Sequence, residues 1–135
     1  LKNGIVCKPK LVDWSYYSDM LKQRNFDAMI MGWSASSPES DPQQIWHSSS
    51  ILDQADNFIQ WSNKDADAYI EEGRRTLDTD ARMAMWHGLH EVIHESQPYT
   101  FIRVVPWIRF INRDIGNVQT YPIGLEPGEF FHVAE

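Results

Sequence analysis

Cysteine is almost missing from this chain, since Cys7 is the only one among 135 residues. A single cysteine can form neither an internal disulfide framework nor a cysteine-based metal site. The sequence also lacks a run of about 18 apolar residues, so no segment is predicted to cross a bilayer as a helix. It has no glycine-rich loop of the kind that cradles phosphate. These absences exclude a disulfide scaffold, and we expect no nucleotide-type cofactor.

Positive charge is also scarce. Lys and Arg together number 12 against 19 Asp and Glu, which gives a formal net charge of -7. Phosphate backbones would be repelled by this charge, and so would an anionic membrane surface, so we expect no nucleic-acid partner. Hydrophobic residues make up 42% and charged residues 23%, as in ordinary globular proteins. We predict a single domain over residues 1–135, long enough to bury a core.

The stretch from residue 25 to residue 50 is the most informative part of the sequence. Residues 26–31 are predicted to form a buried strand that stops at Gly32-Trp33. A serine-rich loop with Pro38 follows, and a short helix is predicted to begin near Asp41-Pro42. Open α/β sheets bind ligands beyond the carboxyl ends of their strands. The predicted ligand-binding residues are Trp33, Ser34, Ser36 and Asp41.

Capping residues predict three longer helices. Asp13 begins one over about 14–24, Ser62 begins one that ends near residue 77, and Asp78 begins one over 79–96 that Pro98 terminates. Extended segments are predicted at 4–12, 26–31, 58–61, 99–105 and 107–111. Together these elements predict an α/β fold class, with a mixed β-sheet flanked by helices.

The helix predicted over 79–96 has two distinct faces. One stripe should pack against the sheet; it contains Arg82, Met85, Trp86, Leu89, Val92 and Ile93. The other side carries Met83 and three histidines, which we predict to be exposed to solvent: His87, His90 and His94.

The segment HEVIH, from His90 to His94, is a formal match to the H-E-x-x-H pattern of zinc hydrolases. A zinc-dependent hydrolase is therefore the alternative function. It requires a third ligand, for which Glu126, Glu129 and His132 are the candidates. The preferred interpretation is a solvated helix face without a metal.

Two further catalytic patterns are less well supported. The segment from Gly32 to Ser36 begins like the G-x-S-x-G nucleophile elbow, but Ser36 stands where the last glycine is needed. Glu39 and Asp41 could pair as two carboxylates, although acids on a polar loop more often cap helices or remain solvated. We therefore predict no catalytic residues.

Three segments follow one another in the order of a known family: NFDAMIMGW, then DPQQIWHSS, then FIQWSNKDADAYIEEGRRTLDTDARMAMWHGLHEVIHESQPYTFI. This succession resembles the C-terminal part of the family 5 extracellular solute-binding proteins, the oligopeptide- and dipeptide-binding components of ABC importers. The resemblance covers nearly the whole chain. It implies one lobe of a type II periplasmic-binding-protein-like fold, in which roughly 113–135 would pack toward a missing N-terminal lobe. Because the chain begins at Leu1 without a methionine, we expect a piece of something longer.

The resemblance also implies a ligand and partners. Trp33 matches the tryptophan that walls the ligand pocket, and an acidic residue three positions later holds the peptide's amino terminus in peptide-binding members. Ser36 occupies that position here, so Glu39 or Asp41 would have to replace it. A short peptide is the expected ligand, with nickel complexes, oligosaccharides and opines as alternatives. The other expectations are a membrane ABC permease as partner, no cofactor, and a bacterial periplasmic or membrane-anchored extracellular location. As half of a receptor, the chain should expose Trp33 and parts of 113–135.

Overall fold

The computed structural model describes residues 3–34, 39–52, 55–106, 108–121 and 124–133. These residues fall into two compact units, one within 1–31 and 42–96 and the other within 32–41 and 97–135. No helix in the described ranges is both long and apolar enough to cross a membrane. The first unit contains all of the described α-helices: α1 (Trp14–Gln23), α2 (Gln43–Trp46), α3 (Lys64–Arg75) and α4 (Thr79–Ser96), with a 3-10 helix at Ser48–Ile51.

Helix α1 begins where Asp13 predicts and ends at Gln23, one residue before the predicted end. The Asp13 carboxylate accepts a hydrogen bond from the Tyr16 N–H at 2.9 Å. At the other end Arg24 adopts a left-handed conformation with φ 53°, and its N–H donates to the Leu21 carbonyl. The Arg24 guanidinium also donates to the Ile51 carbonyl at 2.7 Å, which joins the end of α1 to the 3-10 helix.

The start of α3 differs from the prediction by one residue. Asn63, and not Ser62, is the N-cap, because its side-chain oxygen accepts from the Asp65 N–H at 2.9 Å and from the Ala66 N–H at 3.1 Å. The predicted cap of α4 is confirmed, since Asp78 accepts from the Ala81 N–H at 2.9 Å.

The core of the first unit lies between α3 and α4. It consists of the buried side chains of Ala66, Ile70, Leu89 and Ile93. Small residues let the two helices approach closely: a Cβ atom on Gly73 would lie 2.5 Å from the Trp86 ring. The apolar stripe of α4 is therefore confirmed, but its predicted partner is wrong, because it packs on α3 and not on a sheet. Five partly buried side chains surround this core: Trp46, Trp61, Tyr69, Trp86 and Val92.

The predicted strands are not formed in the described ranges. No strand forms at 4–12, 26–31, 99–105 or 108–111, and Trp107 of the predicted strand 107–111 lies outside the described residues. Residues 58 and 59 lie in a turn, 60 and 61 form no strand, and Gln60 has a φ of 57°. Apolar side chains in these runs are largely exposed, with Val104 94% and Phe110 96% exposed. A strand is stable only when neighbouring strands satisfy its backbone, and apolar, β-rich composition does not supply those neighbours.

The described strands are short and lie in the second unit. β1 (Ile115–Gly116) pairs antiparallel with β4 (Phe131–His132), and β2 (Thr120–Tyr121) pairs antiparallel with β3 (Gly124–Leu125). The observed architecture thus combines helices with small antiparallel ladders, which is compatible with the α/β class. Its arrangement differs from the predicted central strand and flanking helices.

Candidate functional site

Three of the predicted ligand-binding residues, Trp33, Ser34 and Asp41, belong to the second unit. Trp33 is 42% exposed, and Ser34 and Asp41 are exposed as well. Ser36 lies outside the described residues. The expectation that Trp33 is exposed is confirmed. So is the expectation for the terminal segment, where several large apolar side chains are accessible: Val118, Tyr121, Phe131 and Val133.

A hydrogen bond holds the chain shortly before Trp33. The Tyr17 hydroxyl, on α1, donates to the Ile30 carbonyl at 2.9 Å. Burial raises the pKa of Tyr17 above its ordinary value, so the hydroxyl keeps the proton that it donates. Residue 30 is therefore positioned by α1 although residues 26–31 form no strand.

On the other side of the loop, α2 is tied to the segment that precedes α3. The Gln44 side-chain amide donates to the Asp56 carboxylate at 2.5 Å, and the Asp56 N–H donates to the Gln44 carbonyl at 3.1 Å. The Ser50 hydroxyl donates to the Gln43 carbonyl at 2.7 Å. These contacts fix the part of the chain that begins two residues after Asp41.

A polar cluster that the sequence does not predict joins the 3-10 helix to α3. The N–H and the hydroxyl of Ser48 both donate to the Asp67 carboxylate, at 2.9 and 2.5 Å. The His47 ring lies beside the same helix, with its Nε2 atom 3.5 Å from a Glu71 carboxylate oxygen. Asp67 is 19 residues from Ser48 in sequence, so spacing along the chain gives no signal of this contact.

The same polar cluster contains a serine–histidine contact. The Ser49 hydroxyl is 2.8 Å from His47 Nδ1, and the Ser49 N–H donates to the same nitrogen at 3.0 Å. A nitrogen that accepts from a backbone N–H must carry a lone pair, so the ring proton of neutral His47 is on Nε2, toward Glu71. The arrangement is a local N-cap of the 3-10 helix.

Asn57 is the second feature that sequence reasoning missed. Its side chain is completely buried. The amide nitrogen donates to the Trp61 carbonyl at 2.8 Å and to the His47 carbonyl at 3.2 Å, and its oxygen accepts from the Trp61 N–H at 3.0 Å. In the sequence, the local indication of this burial is that an uncharged polar residue stands directly before the apolar pair Phe58-Ile59.

The predicted exposure of His87, His90 and His94 on α4 is confirmed. The zinc hydrolase gains no support. In the ranges that the structure describes, no three His, Cys, Asp or Glu side chains are grouped closely enough to hold a metal ion. Two of the proposed third ligands have other roles: Glu126 accepts from the Gly128 N–H at 3.1 Å, and Glu129 accepts from the Tyr121 hydroxyl. That hydrogen bond raises the pKa of Tyr121.

Comparison with known proteins gives three curated relatives, while no protein-family profile and no solved structure matches the chain. The oligopeptide-binding protein AppA of Bacillus subtilis (strain 168) is 34% identical over 103 residues, which is 75% of this chain. Di/tripeptide-binding protein 1 of Pseudomonas aeruginosa (strain UCBPP-PA14) is 25% identical over 98% of the chain. The dipeptide-binding protein of Escherichia coli (strain K12) is 21% identical over 91% of it.

The chain spans only 19%, 24% and 23% of the lengths of these relatives. All three are named as peptide-binding proteins. The resemblance to the oligopeptide- and dipeptide-binding proteins, predicted from the order of sequence motifs, is therefore confirmed.

Proposed function

We infer that this chain is a segment of a family 5 solute-binding protein, the component of an ABC importer that captures short peptides. The observation that carries this proposal is the alignment of 75% to 98% of the chain with three proteins named for peptide binding. The complete protein would be a two-lobed receptor that closes on its ligand. This chain would supply most of the C-terminal lobe, of the type II periplasmic-binding-protein kind, and residues 113–135 would pack toward the N-terminal lobe.

The exposed apolar side chains support a larger protein. Residues 99–105 and 108–111 are β-rich and apolar but form no strand in the described ranges, and Phe101, Ile102 and Ile108 are 59%, 71% and 74% exposed. Exposed apolar runs of this kind are normally covered by other parts of a protein. We propose that the rest of the receptor provides neighbouring strands and completes a mixed sheet flanked by helices.

Ligand binding at the loop after residue 31 needs an aromatic wall and a few polar anchors, and no catalytic group. Trp33 is half-exposed and supplies the wall. Ser34, Ser36 and Asp41 supply hydroxyl and carboxylate groups. An α-ammonium group is best held by a carboxylate, so Asp41 or Glu39 takes the role that the neutral hydroxyl of Ser36 cannot fill.

The partner of such a receptor is a membrane ABC permease, and its location is the bacterial periplasm or the outer face of the cell membrane, where a membrane anchor retains it. The receptor is a binding protein and not an enzyme. The relatives' names, which describe peptide binding and no reaction, support this proposal.

The test is identification of the ligand of the full-length protein. Native mass spectrometry of the protein as purified should detect short peptides, and calorimetry should show binding of unmodified dipeptides to pentapeptides. Acetylation of the peptide's amino group is the matched control and should weaken binding, because it removes the charge that the carboxylate holds. Binding of an oligosaccharide, an opine or a nickel complex, with no binding of peptides, would contradict the proposal.

Replacement of Trp33 by alanine in the full-length protein should weaken peptide binding by about 2 kcal/mol, because a central aromatic anchor contributes on this scale. That corresponds to roughly a 30-fold higher dissociation constant in calorimetry. Trp14→Ala is the matched control, since Trp14 is on α1, is 76% exposed and lies outside the proposed site. A Trp33→Ala protein with lower thermal stability and unchanged peptide affinity would show that Trp33 is a packing residue.

A further inference from the structure

Two histidines four residues apart lie on the exposed face of α4. His90 and His94 are both exposed, and both belong to the continuous helix Thr79–Ser96. Residues at this spacing on a helix have Cβ atoms about 5–6 Å apart. Two imidazole nitrogens can then reach one ion at the usual metal–nitrogen distance of about 2 Å. The pair is placed to act as a bidentate chelator.

The backbone under the two histidines is held rigid by packing. Leu89 and Ile93, which directly precede them in sequence, are 2% and 7% exposed and form the core with α3. Each histidine therefore follows an anchored residue, and the separation of the two histidine Cβ atoms is set before a metal arrives. A preorganised pair loses less conformational entropy on binding than a pair on a mobile loop.

The charges around the pair favour a cation. His94 lies in the last turn of α4, where the helix dipole presents its negative end. Glu91 and Glu95 are exposed neighbours on the same helix, and the chain as a whole carries a net charge of -7.

We propose that His90 and His94 bind a divalent first-row transition metal ion through their imidazoles. Cu²⁺ should bind most tightly, with Ni²⁺ and Zn²⁺ weaker, because imidazole sites follow this order. Mg²⁺ and Ca²⁺ should not bind, because they require oxygen ligands. The remaining coordination positions stay open to water or to a further ligand. This two-ligand surface site differs from the three-ligand zinc enzyme above, and it does not depend on the peptide-binding proposal.

The test uses the full-length protein without an affinity tag, stripped of metal with EDTA and titrated with nickel sulfate in a calorimeter. His90→Ala and His94→Ala should each weaken Ni²⁺ binding by roughly tenfold or more, because each removes one of two ligands. His87→Ala is the comparison and should weaken binding less than either of these, since His87 is exposed on the same helix but lies three residues from His90 and seven from His94, outside the four-residue pair. EDTA should leave the circular dichroism spectrum unchanged, because α4 is held by apolar packing.

A rescue variant tests the spacing itself. In a protein that carries both His90→Ala and His94→Ala, Glu91→His creates a new pair with His87 at the same four-residue spacing, and Ni²⁺ binding should return. Equal Ni²⁺ affinity in the wild type and in the His90→Ala and His94→Ala variants would overturn the proposal. So would a loss in His87→Ala as large as in those variants, or failure of the rebuilt pair to bind.

Discussion

Replacement of Asn57 by alanine should lower the free energy of unfolding by about 3 kcal/mol. The side chain is fully buried and makes three hydrogen bonds to main-chain groups of His47 and Trp61. Alanine would leave these groups without partners in a region that water reaches poorly, and each unsatisfied buried group costs about 1–3 kcal/mol. Water that enters the vacated space would recover part of the loss, so the total stays below the simple sum. Urea denaturation followed by circular dichroism measures the difference.

Asn63→Ala is the comparison for Asn57. Asn63 is also an asparagine that binds main-chain N–H groups, but it does so as the N-cap of α3. Loss of an N-cap costs about 1 kcal/mol, because water can satisfy the exposed groups. An Asn57→Ala variant that loses no more stability than Asn63→Ala would mean that the buried hydrogen bonds do not hold the segment before α3 in place.

Replacement of Ile70 by alanine should lower the free energy of unfolding by about 3–4 kcal/mol. Ile70 is fully buried at the centre of the contact between α3 and α4. Removal of its outer carbons loses transfer free energy and leaves a cavity that two helices in close contact cannot fill by moving together. The same urea titration, with fluorescence of the tryptophans near this core as a second signal, measures the effect.

Two further variants test whether the loss of stability depends on how much buried side chain is removed. Ile70→Val removes one carbon and should cost about 1 kcal/mol. Glu72→Ala changes an exposed position on the same helix and should alter stability by less than about 0.5 kcal/mol. Equal stability of the Ile70→Ala and Glu72→Ala proteins would show that the packing of α3 on α4 is not the main source of stability in this unit.

Local sequence patterns predict some residues of the candidate site, but they do not predict contacts between residues that are distant in sequence. A change in sequence character and the resemblance to a family predict Trp33 and Asp41 as site residues, and the structure adds their exposure. The polar cluster around His47 depends on Asp67 and Glu71, which α3 brings to it from about 20 residues away in sequence. No local pattern encodes such a contact.

The sequence by itself determined the three longer helices, the capping residues Asp13 and Asp78, and the polar face of α4. These depend on interactions over three or four residues, such as those of Asp13 with Tyr16 and of Asp78 with Ala81. It also carried the resemblance to peptide-binding proteins. Only the tertiary structure decided that α4 packs on α3, that Asn57 is buried, and that the apolar runs at 26–31 and 99–105 form no strands among the described residues. Strand pairing and burial require partners distant in sequence, and a residue's own neighbours do not specify them.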